Sequence, residues 1–159
     1  MILVTLGTFP TQFQRPLIAI EELCKNSTIR EEVIVQNGHT TMESSFLNMR
    51  PFIAPEELTD IYKKATLIIS HAGTGSLIKG IKLNKKVIAI ARLAKYNEHV
   101  DDHQIEILNM LAKLNYILPW HENVELSTLL TEIKTFEPAQ YNSNKQNIIN
   151  YLNNYIDSL

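Results

Sequence analysis

Between an apolar run that ends at Ser70 and a helical pattern that resumes at Leu77, the chain reads His71-Ala72-Gly73-Thr74-Gly75-Ser76. Residues this small let backbone approach a ligand closely, and a helix starting near Thr74 would turn unpaired N–H groups toward it. Those groups and the positive end of the helix dipole make an anion site, to which the Thr74 and Ser76 hydroxyls can add hydrogen bonds. A tight strand-to-helix turn that needs glycine only for packing reads from the same residues. The stretch is not a Walker loop: Gly75 and Gly80 are correctly spaced, but Ile81 stands where lysine is required. Nor is it a dinucleotide fingerprint, because Ile78 replaces the third glycine.

Two other short stretches carry chemistry. Gly7-Thr8 follows the first apolar run. "NEHVDDHQ", from Asn97 to Gln104, packs Glu98, His99, Asp101, Asp102, His103 and Gln104 into one loop and helix start. Asp101 or Asp102 can cap that helix. His99 and His103 have the i,i+4 spacing of metal ligands, but no third ligand follows with matching spacing, so no metal is expected. A ring of donors and acceptors like this suits a hydroxyl-rich ligand such as a sugar. His71, His99 and His103 are the local candidates for a catalytic base; a hydrogen-bonding role inside the fold suits His71, just after a strand, equally well.

These loops need a frame. "ILVTL" (2–6), "EVIVQ" (32–36), "ATLIIS" (65–70) and "KVIAIA" (86–91) are apolar runs typical of strands buried on both faces. "SFLNMRPF" (45–52) is a weaker strand near an edge, and Tyr116–Leu118 a short one. Helices are expected from Pro10 to Lys25, from Pro55, from Thr74 to Leu83, and over 102–114, 124–134 and 142–158. The alternation predicts an α/β fold with one open, mostly parallel sheet and helices on both faces. In such sheets ligands bind beyond the carboxyl ends of the strands, where all three loops fall.

The bulk numbers agree with a single domain over 1–159. The chain is 45% hydrophobic and 20% charged, with a net charge of −2, so no basic field argues for nucleic acid. The lone Cys24 sits in an apolar helical pattern with Leu17, Ile20 and Leu23 and reads as core, in a reducing cytosol. No run approaches the ~20 apolar residues of a membrane helix, so membrane contact is expected to be peripheral. The tail carries an apolar stripe, Ile148, Ile149, Leu152, Tyr155, Ile156 and Leu159, which suits a helix docking a partner or packing on the chain's own sheet.

Taken in order, "LVTLGT", "ISHAGTGS" and "EHVDDHQ" resemble the C-terminal, donor-binding half of glycosyltransferase family 28, and "RLAKYNEHVDDHQ" resembles its free-standing bacterial exopolysaccharide branch. The resemblance spans nearly the whole chain. It implies a Rossmann-like domain forming one half of a GT-B glycosyltransferase, with a UDP-sugar as substrate and neither cofactor nor metal. Carried over by position, Gly73, Thr74, Gly75 and Ser76 would hold the diphosphate, with Gly7 and Thr8 across the cleft. Backbone at Phe52, Ile53 and Ala54 would clamp the base. Glu98, His99, Asp102, His103 and Gln104 would meet or adjoin the donor sugar. Many members of the family this chain resembles carry Glu three residues after the serine of the small-residue loop, to hold the ribose diol; here Lys79 stands there, and Lys has no acceptor to offer.

The resemblance also implies a separate, membrane-anchored acceptor-binding subunit and a lipid-linked glycan acceptor. The chain is therefore expected at the inner, cytoplasmic face of the membrane, held there by that subunit. A non-catalytic sugar-nucleotide-binding or activating subunit is the alternative. An unrelated α/β nucleotide-binding enzyme such as an epimerase would not need the "EHVDDHQ" loop.

Overall fold

A computed structural model describes residues 1–143 and 145–157. It contains a six-stranded, all-parallel sheet in the order β3-β2-β1-β4-β5-β6. The strands are β1 (Ile2–Thr5), β2 (Val33–Gln36), β3 (Asn48–Arg50), β4 (Leu67–His71), β5 (Val87–Ile90) and β6 (Leu118–Pro119). The helices are α1 (Arg15–Lys25), α2 (Pro55–Lys64), α3 (Thr74–Lys82), α4 (His103–Lys113), α5 (Leu126–Glu132) and α6 (Lys145–Asp157).

Continuous Val, Ile and Leu runs give the central strands two apolar faces, and each face has its own core. Ile2, Val4 and Ile69 pack under Leu17 and Ile20 of α1 and Leu126 and Leu129 of α5. On the other face, Leu3, Ile68 and Ala89 pack under Tyr62 of α2, Leu77 and Ile81 of α3 and Leu108 of α4. Alternate residues along one strand thus serve opposite layers, as the period of two dictates. Each fully buried aliphatic side chain contributes about 1.5–3 kcal/mol before entropy is charged.

The sheet grows outward from β1 in one direction and from β4 in the other. This reversal leaves a crevice at the carboxyl ends of β1 and β4, which pair in register from Ile2↔Leu67 to Thr5↔Ser70. The loops after β1, β4 and β5 open there.

Most element bounds shift by a residue or more, the weak strand expected over 45–52 shrinks to Asn48–Arg50, and two of the differences have a clear physical cause. α1 begins at Arg15 with Pro16 in its first turn, not at Pro10. The segment before it is held out of the helix by its own polar groups: Thr11 Oγ1 donates to Glu98 O (2.6 Å), and the Gln12 and Gln14 amides donate to the carbonyls of His39 and Thr41. The last strand is Leu118–Pro119 instead of Tyr116–Leu118; Tyr116 N–H closes the end of α4 onto Leu111 O. Cys24 is partly buried against the α1 core, and that burial raises its thiol pKa. In α6, Ile149, Tyr151, Leu152, Tyr155 and Ile156 are all exposed. The end of the expected 142–158 helix at Ser158, and Leu159 of the stripe, lie outside the described residues. Among those residues no helix is long and apolar enough to cross a membrane.

Candidate functional site

β4 ends at His71, Ala72 is buried, and Gly73 is the N-cap of α3. No side chain caps this helix, so the first-turn N–H groups at Thr74, Gly75 and Ser76 face the crevice. A Cβ on Gly75 would meet nothing within 4 Å, which leaves room for a ligand against the turn.

The floor of this cradle is an imidazole. His71 Nδ1–H donates to Thr5 O (3.1 Å), which leaves Nε2 as a bare lone pair. That nitrogen lies so close that a Cβ would come within 2.1 Å of it on Gly73 and 2.6 Å on Gly7. Gly7 also has φ +78°, a conformation that other residues adopt with strain. The glycines are therefore required by the histidine packed between them as well as by any ligand.

Burial holds the His71 pKa down at about 4; the Thr5 carbonyl works against this, and the charges of Arg92 and His99 add to it. The folded value lies below the unfolded 6.5, so the unfolded chain binds more protons in between. The stabilisation from neutral His71 is complete above pH 6.5 and is lost as pH falls toward 4. It amounts to about 3 kcal/mol at most. Urea midpoints at pH 7 and 4.5 should accordingly lie further apart for the wild type than for His71→Gln; equal separations would show that His71 does not titrate in this way.

Arg92, immediately after β5, holds the surrounding loops together. It is 1% exposed, and its guanidinium donates through Nη1 to Thr11 O, Thr11 Oγ1 and Glu98 O, and through Nη2 to Leu6 O, at 2.8–3.2 Å. The group lies over the Phe13 ring, 4.7 Å from its centroid. Burial pushes the Arg92 pKa down to about 10, against the pull of Glu98, and the group stays charged at neutral pH. One side chain thus ties the loop after β1 to the loop after β5.

The structure places the residues of the "EHVDDHQ" stretch in distinct settings. Glu98 is buried, with its carboxylate bound to Arg15 Nε (3.1 Å) and Nη2 (2.7 Å) and to the Leu93 N–H (3.0 Å). Asp102 accepts the Ala94 N–H at 2.8 Å and closes the loop around a 3-10 turn at Ala94–Tyr96. Asp101 accepts the His103 N–H at the start of α4 and also contacts His99 Nδ1. His103 is exposed and pairs with Glu106 at 3.3 Å. Gln104 is buried, its Oε1 accepting the Arg92 N–H, which leaves its amide NH₂ as the group on offer. His99 stacks on Phe9, centroids 4.5 Å apart.

Across the crevice, Gly38 N–H donates to Pro51 O, and a Cβ on Gly38 would come 2.3 Å from Gly7 O, so the loops after β1, β2 and β3 abut. Phe52 is exposed and edge-on to His39, Ile53 is buried with its N–H on Gln36 Oε1, and Ala54 is the N-cap of α2. α2 in turn meets α3: Tyr62 OH donates to Ser76 O, and Lys79 Nζ donates to Thr59 Oγ1 (2.9 Å) while lying over the Tyr62 ring. Sequence reasoning assigned no role to Arg92, Arg15 or Phe9. The only hint was a charged residue directly after the apolar run, in "IARLA".

A separate cavity of about 450 Å³ lies between α1 and α5, lined by Arg15, Tyr96 and Trp120 but also by Glu22, Glu122 and Glu125. Three carboxylates disfavour an anionic ligand there, whereas the α3 cradle presents N–H groups and no acid.

The architecture is that of one half of a GT-B glycosyltransferase. It superposes on the glycotransferase of kitacinnamycin with TM-score 0.64 at 13% identity, over 84% of this chain and 34% of that one. It also superposes on the solution structure of ALG13 with TM-score 0.59 at 19% identity, over 91% of each chain. The chain belongs to the glycosyltransferase family 28 C-terminal domain family, whose model matches residues 1–159. Among curated relatives, the UDP-N-acetylglucosamine transferase subunit ALG13 of Candida albicans is 35% identical over 81 residues, 51% of this chain and 26% of that protein. The ALG13 subunit of Candida glabrata is 27% identical over 128 residues, 80% of this chain and 62% of that protein. The chain thus spans less than two thirds of the length of these relatives.

Proposed function

We propose that the chain is the donor-binding, catalytic subunit of a two-component inverting glycosyltransferase. It transfers a sugar from a UDP-sugar to a lipid-diphosphate-linked glycan in capsule or exopolysaccharide synthesis. The observation that carries this reading is the uncapped start of α3, open at Gly75 and set at the sheet's reversal point. N–H groups and a helix dipole aimed at a leaving diphosphate stabilise the charge that develops there, without a metal. The Gln104 amide and His103 meet the sugar hydroxyls, and the Phe52–Ala54 backbone clamps the base. Thr8, next to Gly7, is exposed at the same crevice.

The acceptor side comes from a membrane-anchored partner subunit, which holds the chain at the inner face of the membrane. The exposed apolar side chains of α6 are the surface offered to it. One observation favours the second reading, a non-catalytic nucleotide-binding or activating subunit: Lys79 is drawn to Thr59 and Tyr62 where relatives place a ribose acceptor.

The test is transfer of labelled sugar to a lipid-linked acceptor by membranes carrying the partner, with and without this chain. Ser76→Ala and Gln104→Ala should each cut the rate by about 10²-fold if both contacts strengthen in the transition state. Full activity in either variant would remove that residue from the site; transfer independent of the chain would leave the second reading.

A further inference from the structure

We propose that His99 is the general base that takes the proton from the acceptor hydroxyl, its imidazole aligned by Asp101 and by Phe9. This rests on the glycosyltransferase reading above.

The three histidines near the crevice are not equivalent. His71 has spent its Nδ1–H on Thr5 O and lies wedged between Gly7 and Gly73, and burial leaves it a weak base with a pKa of about 4. His103 points its ring, 64% exposed, toward Glu106 on its own helix. His99 alone has the geometry of an oriented base. Its Nδ1 lies 3.0 Å from Asp101 Oδ1 and 3.4 Å from the Asp101 backbone N; the carboxylate, the nearer partner, favours a proton on Nδ1, which leaves Nε2 as the acceptor. Asp101 is itself fixed, because the same oxygen accepts the His103 N–H at 3.1 Å. The other constraint is steric: the Phe9 ring stacks on His99 at 4.5 Å with an interplanar angle of 29°. Phe9 follows Gly7 and Thr8 directly, so the stack joins His99 to the loop that flanks the cradle. The side chain is 20% exposed, enough to meet a substrate hydroxyl and shielded enough to stay oriented.

In the step this arrangement serves, the acceptor oxygen forms a bond to the anomeric carbon of the donor. The bond from that carbon to the diphosphate oxygen breaks, and UDP leaves with the electron pair. The hydroxyl proton passes to His99 Nε2. The resulting imidazolium faces the Asp101 carboxylate, and the proton then returns to solvent. A positioned base of this kind contributes about 10²–10⁴-fold. Asp101 and Phe9 touch no substrate and act as positioning residues.

The experiment pairs sugar transfer in membranes carrying the partner with UDP binding by the isolated chain. For His99→Gln the expected result is a fall in kcat of about 10²-fold or more, with donor KM and UDP affinity within about threefold of wild type. His99→Ala should recover part of its rate with added imidazole, which fills the gap with a free base. Asp101→Asn should lower kcat without moving KM, and Asp101→Glu should recover part of the loss. Wild-type kcat in His99→Gln, or a parallel loss of UDP affinity, overturns the assignment; the parallel loss would make His99 a donor contact. Active wild-type membranes beside an active His99→Gln overturn the base alone. Wild-type membranes that transfer nothing overturn the glycosyltransferase reading and the base with it.

Discussion

Arg92→Met should lower the unfolding free energy by about 3–5 kcal/mol and abolish UDP binding at concentrations that saturate the wild type. Methionine keeps an apolar stem over Phe13 but loses every donor. The carbonyls of Leu6, Thr11 and Glu98 would then be left in the interior with fewer partners. Each buried acceptor so abandoned costs about 1–3 kcal/mol, more than the bond was worth when made. The effect on binding follows from what those carbonyls are: the loops after β1 and β5 would lose a common anchor, and with it the placement of Gly7 and Thr8. Arg92→Lys should fall in between, because an ammonium keeps the charge but cannot span the same acceptors. Urea unfolding followed by the fluorescence of the single, buried Trp120, with calorimetric titration of UDP, checks both parts. A variant with wild-type midpoint and UDP affinity would show that other contacts fix the loops.

The second large effect concerns Gly73. Its φ of −85° suits any residue, so alanine there carries no backbone penalty. The whole cost of Gly73→Ala is the methyl group placed 2.1 Å from His71 Nε2. The imidazole cannot retreat, held by Thr5 O on one side and crowded by Gly7 on the other. Overpacking of this sort costs about 1–3 kcal/mol, and relief by shifting the loop would spoil the first-turn N–H array, with UDP affinity expected to drop about 10²-fold. Adding His71→Ala removes the obstacle, so the double variant should be more stable than the sum of the single losses predicts. Gly75→Ala is the useful contrast. Its methyl meets no protein atom within 4 Å, so stability should hold or rise slightly while UDP binding falls. Strict additivity of Gly73→Ala and His71→Ala would show that the two side chains do not collide.

The sheet was legible because four of its strands are apolar runs, and the small-residue loop was legible as the turn from β4 into α3. Gly73 advertises close approach in sequence, and the structure finds it against His71, whereas at Gly75 no protein atom lies within 4 Å. What could not be read was pairing across the chain. Glu98 looks like a sugar ligand beside His99 and Asp102, yet its carboxylate is committed to Arg15, a residue 83 positions earlier, and to the Leu93 N–H. Arg92 reaches Leu6, 86 positions away. No periodicity or local motif encodes such partners. The early helix start expected at Pro10 failed for the same reason: the Thr11, Gln12 and Gln14 side chains are spent on distant backbone, which a local propensity rule cannot see.

The strand order carries a consequence for how the molecule is made. β1 pairs on both sides, with β2, which follows it closely in sequence, and with β4, which does not. Its second neighbour is more than sixty residues behind it, and the anchor for its loop is later still, at Arg92. Such long-range closures are slow to form because the intervening chain must be ordered first. Until β4 has emerged, one edge of β1 is unpaired and apolar. Folding of this chain, more than its final stability, should therefore be the step most sensitive to crowding, temperature and the pace of synthesis.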